Sequence, residues 1–316
     1  MKKRTIIALI VAAALIVTGG MILVLGLSFA GGGTQKSELN RQEITIQERF
    51  DTIAIDTADC DVKFAMFSGR DDCMVEVHAY ENVKHTAAVE DGTLKIKMID
   101  ERNWTDHIDI GRTESMEMTV YLPAAEYESL QIRTTTGDIA LAQEPVFLEA
   151  LLRTNTGDIS CVGAGGDALD CMTSTGDISL QNCAPNMLKL QSNTGDFKVS
   201  TVAGDEIHMM TNTGELDAEV VNALTVTCKT ETGDVELEKV LAEDYLQIRT
   251  DTGDVGVENC DAGRVDIETD TGDVSGHFLT SKWFSAFSDT GNVTVPNTPE
   301  GGECRIQTDT GDIHFE

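Results

Sequence analysis

The sequence predicts an all-β protein: a single-stranded β-solenoid (β-helix) with rungs of 19–20 residues, preceded by one N-terminal transmembrane helix. Three observations carry this reading. Ten Thr-Gly pairs recur 19 or 20 residues apart, from Gly137 to Gly311. Apolar residues alternate on both sides of each pair. A 26-residue run without charge follows the basic start Lys2-Lys3-Arg4. A fixed period of this length marks a repeat architecture, in which one unit buries little and stacking builds the core.

From the N-terminus, residues 1–4 form a basic tail and residues 5–30 an apolar segment. As a helix that segment spans about 39 Å, enough to cross a hydrocarbon core of about 30 Å. The basic tail predicts a cytoplasmic N-terminus and an extracytoplasmic remainder at the cell membrane, crossed once. A cleaved signal peptide is the alternative, since Ser28-Phe29-Ala30 is a small-x-small site. The run is longer than the usual h-region of roughly 7–15 residues, which favours an uncleaved anchor. Residues 31–42 read as a polar linker, 43–127 as the N-terminal β cap region of the solenoid, and 128–316 as the repeats.

Within 43–127, strand-like runs fall at 74–79, 93–99 and 115–122, with a polar loop near 101–113. Residues 53–64 read as a degenerate first rung, with Cys60 in the Gly place and Asp61 in the Asp place. In the repeats, three columns are apolar throughout: Leu130, Ile132 and Ile139 in the Gly137 rung, and their equivalents in each later one. Period-two alternation means half-buried strands flanking a turn. Gly supplies the corner, the following Asp is expected to cap local N–H groups, and stacked Thr hydroxyls are expected to bond along the ladder. The chain stops five residues after Gly311, so the last rung is expected to expose a strand edge open to self-association.

The net charge is −31, which disfavours nucleic acid and anionic lipid and favours cations. Of eight cysteines, Cys161, Cys171, Cys183, Cys228, Cys260 and Cys304 replace aliphatic residues of the repeat, Leu279 being one of the equivalents. They are read as buried free thiols, and Cys60 with Cys73 as the one pair to consider for a bridge. From Glu231 onward a second acid joins each corner, giving the pairs Glu231/Asp234, Asp251/Asp254, Asp270/Asp273 and Asp309/Asp312, with Asp289/Asn292 between the last two. Such hard oxygens motivate weak Ca²⁺ binding along this edge; no other cofactor is expected. Catalysis has little support: nine spacings that differ by one residue leave no long loop for a cleft, and there is no Gly-x-Ser-x-Gly or P-loop. Trp104 and Trp283 are the two tryptophans able to anchor a ligand.

Met118-Thr119-Val120-Tyr121-Leu122-Pro123, followed by Tyr127-Glu128-Ser129-Leu130-Gln131-Ile132-Arg133-Thr134-Thr135-Thr136-Gly137-Asp138-Ile139, resembles the bacterial "putative adhesin" β-strand-repeat family, a domain family of unknown function. The resemblance covers 43–316 and implies a β-solenoid outside a bacterial membrane, with no catalytic residues. The expected function is a non-enzymatic binding or scaffold module for a cell-envelope polymer or membrane protein. A self-associating structural element or an envelope-stress signalling partner is the alternative, and a glycan-active enzyme a remote one.

Overall fold

The computed structural model describes residues 39–66, 69–102, 115–142 and 146–316. The anchor segment 5–30, Trp104 and most of the 101–113 loop lie outside the described residues. Among the described residues the secondary structure is all strand, and no helix is long and apolar enough to cross a membrane.

Each repeat forms a rung of two main strand segments joined at the Thr-x-Thr-Gly-Asp corner. In the Gly195 rung, the end of Ile178–Gln191 enters the corner and Phe197–Ala203 leaves it. Parallel ladders join successive rungs in register: Leu188 pairs with Ile207 and Ile207 with Val226 before the corner, and Phe197 with Leu216 after it. The alternation follows: Leu188 and Leu190, and Phe197 and Val199, are buried, while the residue between each pair is half-buried or exposed. A second bend falls six residues after the corner Gly in the rungs from Gly176 to Gly253. There Asn182, Thr201, Val220, Lys239 and Asn259 take positive φ between 54° and 57°. This lets the residues four and seven after Gly both turn inward, as Val199 and Val202 do.

The degenerate first rung is present. Ile53 and Ile55 pair with Leu130 and Ile132, and Val62 pairs with Ile139. A further rung lies beyond it. Thr93–Asp100 pairs with Thr52–Asp56, and Met116–Leu122 with Cys60–Met66. Antiparallel strands Val83–Glu90 and Cys73–Ala79 then close this end, with Asn40–Ile46 outside Cys73–Ala79. Strand 83–90 went unforeseen because its alternation fades: Val83 and His85 are buried, but Ala87 and Val89 are only half-buried.

The C-terminal end overturns the expected edge. Gly302–Thr310 pairs with Val255–Thr271 on one side and with Lys282–Thr290 on the other. Likewise Ile313–Phe315 lies between Val274–Phe278 and Val293–Thr294. The rungs therefore stack in the order Gly253, Gly272, Gly311, Gly291: the last rung in sequence is inserted one place in. The exposed edge belongs to the Gly291 rung. Burial agrees, since Cys304, Ile306 and Ile313 are fully buried while Val293 is 43% exposed. Leu279 is also corrected. The register shifts so that Cys260 pairs with Phe278, which takes the inward place and leaves Leu279 exposed.

Aromatic rings cluster at two places along the core. Phe278, Phe284 and Phe315 meet at centroid distances of 5.2–6.2 Å at one of them. Phe50, Tyr127, Phe147 and Phe64 form a chain of contacts at the other. The end strand 282–290 is blunted by an inward charge, a common defence of free edges. The Lys282 ammonium is buried and bonds to Asp261, to the Ala262 carbonyl at 2.7 Å and to Thr280 Oγ1 at 3.1 Å.

His85 carries a pH prediction. Its ring is buried under the N-terminal end, with Nε2 3.4 Å from Thr57 Oγ1 and Nδ1 without a partner among the described residues. Burial lowers its pKa to about 4. The unfolded chain then takes up this proton near pH 6.5 while the folded chain does not. Stability from this site is full above that pH and falls as pH drops towards 4, by about 3 kcal/mol. Urea titrations of the wild type and His85→Leu between pH 7.5 and 4 check this. The variant is expected to show a shallower fall than the wild type between pH 6.5 and 5, above the carboxylate range.

Candidate interaction surface

The repeated motif is the first place to look for chemistry, and the structure uses its first Thr, its Gly and its Asp between rungs. The first Thr is buried and its hydroxyl donates to the Gly carbonyl of the preceding rung, as from Thr154 to Gly137 at 3.0 Å and from Thr173 to Gly157 at 3.0 Å. The hydroxyls thus bond to carbonyls and not to one another. At the corner Gly, φ is +157° for Gly195, and a Cβ there would sit 1.9 Å from the Gly176 carbonyl oxygen. The Asp carboxylate accepts the N–H of the next rung's acid instead of capping its own turn. Asp158 N donates to Asp138 Oδ1, Asp177 N to Asp158 Oδ1 and Asp196 N to Asp177 Oδ1, all at 2.8 Å. The run reaches Glu215 N, and a second run goes from Asp234 through Asp254, Asp273 and Asp312 to Asn292 N. Replacing Asp158 by Ala leaves one acceptor missing and is expected to cost about 1–2 kcal/mol in denaturant titrations. Asp158→Asn keeps an acceptor oxygen and is expected to stay within about 0.5 kcal/mol of wild type.

The predicted calcium residues line one exposed edge. By rung order, Asp309 follows Asp270 and Asp312 follows Asp273, with Asp289 and Asn292 at the end. Glu231, Asp234, Asp251, Asp254, Asp270, Asp273, Asp309 and Asp312 are all exposed. The Oδ1 atoms of Asp234, Asp254, Asp273 and Asp312 already accept N–H bonds. Nearby, burial and then the carboxylates of Asp234, Glu215, Asp217 and Asp254 raise the Glu236 pKa. Among the described residues no three His, Cys, Asp or Glu side chains gather as a metal-holding group. Calcium binding here rests on charge alone, and an unchanged melting temperature between excess EDTA and millimolar Ca²⁺ would remove it.

The cysteines offer no reactive site. All eight are free and buried, Cys60 and Cys73 included, so the expected candidate bridge is absent. Burial pushes Cys60, Cys73 and Cys228 up to about 12. A hydrogen bond with Cys161, and then burial, raise Cys171. As thiols they are poor nucleophiles. A shallow groove of about 610 Å³ runs along the second bend past Ala223, Ala242 and Ala262 to Lys282. The ammonium there has its three partners within the protein, so it presents no free donor.

The outer face of the last four rungs is different in kind. Register places Tyr245, Arg264, Glu303 and Trp283 side by side in one row. Gln247, Asp266, Arg305 and Ser285 form the next row, and Arg249, Glu268, Gln307 and Phe287 the third. Polar contacts knit the grid. Arg305 donates to Gln307 Oε1 at 3.0 Å and reaches Asp266 Oδ1 at 3.4 Å. Tyr245 OH donates to Asp266 Oδ2 at 3.3 Å, and Gln247 Nε2 donates to Tyr245 OH at 3.2 Å. Arg264 lies 5.7 Å over the Tyr245 ring, and Arg249 is 3.4 Å from Glu268. At the outer rung stand Trp283 and Phe287, 52% and 56% exposed. Of the predicted anchors, Trp283 is therefore displayed, and Phe287 and the polar grid were missed. The missing signal was rung order: only the insertion of 302–310 sets Arg305 and Gln307 beside the rings.

The family profile described as Toastrack DUF4097 matches residues 50–238 and 205–316, which together span most of the chain. The chain belongs to the Toastrack DUF4097 family. No curated protein matches it. Solved structures similar to this Toastrack chain include a "putative adhesin" from Bacteroides fragilis, 13% identical, with a TM-score of 0.44 over 89% of this chain and 98% of that one. Another, from Parabacteroides distasonis, is 11% identical, with a TM-score of 0.47 over 88% and 98%. A third, a "putative lipid binding protein" from the same organism, is 15% identical, with a TM-score of 0.39 over 89% and 98%.

Proposed function

We propose that the chain is a membrane-anchored, extracytoplasmic β-solenoid acting as a non-enzymatic binding or scaffold module for a cell-envelope partner. The observation that carries this is the use of the corner groups. The hydroxyls of the buried first Thr and most of the carboxylates that follow the corner Gly are engaged between rungs, which leaves display and not catalysis to the surface. The uncharged segment 5–30 behind a basic start supports the anchor and the outward orientation. Two measurements test the reading. In intact spheroplasts of a cell producing the full chain, external protease is expected to remove the solenoid. A purified 39–316 fragment is expected to co-sediment with isolated cell envelopes without releasing soluble sugar. Protection from protease, no co-sedimentation, or steady release of reducing ends would each contradict it. The free edge of 282–290 favours self-association as a second reading, and a concentration-dependent dimer of the fragment in sedimentation would support it.

A further inference from the structure

We propose that the outer face of the last four rungs binds an uncharged glycan chain, with Trp283 and Phe287 as stacking platforms. This rests on the binding-module reading and names the ligand class of that module.

The rings come first. Among the described residues, Trp283 and Phe287 are the aromatic members of the exposed large hydrophobics, and they share one face of one strand. Four residues of extended chain separate them by about 13 Å. Ser285 between them is small and exposed, so the two rings flank a saddle. A pyranose presents an apolar C–H face that packs on such a ring, and its hydroxyls project sideways. The adjacent strand, about 4.8 Å away, supplies the matching polar groups. Arg305 and Gln307 are planar donors and acceptors held in place by their mutual bond and by Asp266. Pre-ordered planar groups lose little entropy on binding and suit paired hydroxyls.

Charge selects the class of polymer. The chain carries −31 overall, yet this grid sets Arg249, Arg264 and Arg305 against Asp266, Glu268 and Glu303, a balance of zero. These are the only arginines after Arg153. The acidic corner beside the grid repels an anionic polymer or an anionic lipid surface, so the neutral patch fits an uncharged chain. A protein partner would be expected to need a larger apolar centre than two rings and a Ser.

The test uses residues 39–316, whose described part shares one continuous core. Affinity electrophoresis is run with mannan, laminarin, galactan and glycol chitin as uncharged or weakly charged probes, and with hyaluronate and heparin as anionic ones. At least one uncharged glycan is expected to retard the protein, and neither anionic one. Trp283→Ala with Phe287→Ala is expected to weaken that binding at least tenfold, and Arg305→Ala about fivefold. Met187→Ala, an exposed apolar residue several rungs away, is expected to leave it unchanged. Circular dichroism melts confirm that the variants fold, and Trp283→Phe is expected to retain most of the binding. Failure of every uncharged probe, equal retardation of the double variant, or retardation by the anionic polymers alone would overturn the proposal. So would a fragment that dimerises through Trp283 and Phe287 without binding sugar. A double variant that still co-sediments with envelopes sinks this inference and leaves the binding-module reading standing.

Discussion

Gly195→Ala is expected to destabilise the protein by at least about 4 kcal/mol, although it adds one methyl group to an exposed corner. The added Cβ would lie 1.9 Å from the carbonyl oxygen of Gly176, a backbone atom that cannot swing away. The φ of +157° is a second obstacle for an L residue. Relief requires the rungs to part. That breaks the Ser192 hydroxyl bond to Gly176 O, the Gly176 N bond to Thr194 O and the Asp196 N bond to Asp177 Oδ1. Gly165→Ala is the control. Its Cβ would meet nothing nearer than the Ala184 carbonyl at 3.6 Å, and its effect is expected to stay within about 0.5 kcal/mol. Equilibrium unfolding in guanidinium, followed by circular dichroism, measures both.

Removing residues 302–316 is expected to do far more than shorten the solenoid. In a stack that follows chain order, loss of the last rung removes one interface. Here that rung lies inside, paired on both sides. Its loss takes away the buried side chains of Cys304, Ile306, Ile313 and Phe315 and strands the Gly291 rung. The expected cost is on the order of 5 kcal/mol or more, read as a lower denaturation midpoint. Circular dichroism is expected to lose more strand signal than the deleted residues carry, because strand 282–290 loses the one ladder it makes among the described residues. A truncated chain with an unchanged midpoint would mean that the Gly291 rung already stacks on the Gly272 rung.

Much of this was legible in the residues. The period, the three apolar columns and the Cys60 rung follow from elementary rules: alternation sets the faces, and Gly marks the corner. The corner chemistry was half legible. Thr, Gly and Asp were recognised as structural, but their partners lie one rung away, and sequence spacing does not say whether a carboxylate bonds within its own turn or across. Rung order was not legible for a deeper reason. Every rung offers the same columns, so register alone permits several stacking orders. The distinguishing marks sit on the Gly291 rung: Lys282 turned inward, Trp283 and Phe287 turned outward, and Ala286 in a column otherwise filled by larger side chains. These are the marks of an end rung, and they precede the final repeat in the chain.

The interaction surface exists only if that order is right, so one cross-linking measurement bears most directly on the whole account. Neighbouring strands lie about 4.8 Å apart and next-but-one strands about 9.6 Å apart. A disulfide reaches about 7 Å between Cα atoms. Ser285 pairs with Arg305, and Arg305 with Asp266. Under mild oxidation, the Ser285→Cys/Arg305→Cys and Asp266→Cys/Arg305→Cys proteins are expected to form intramolecular bridges, seen by peptide mass mapping, while Asp266→Cys/Ser285→Cys is not. A bridge between positions 266 and 285, with none from 305 to 285, would contradict the inserted rung and dismantle the proposed glycan face with it.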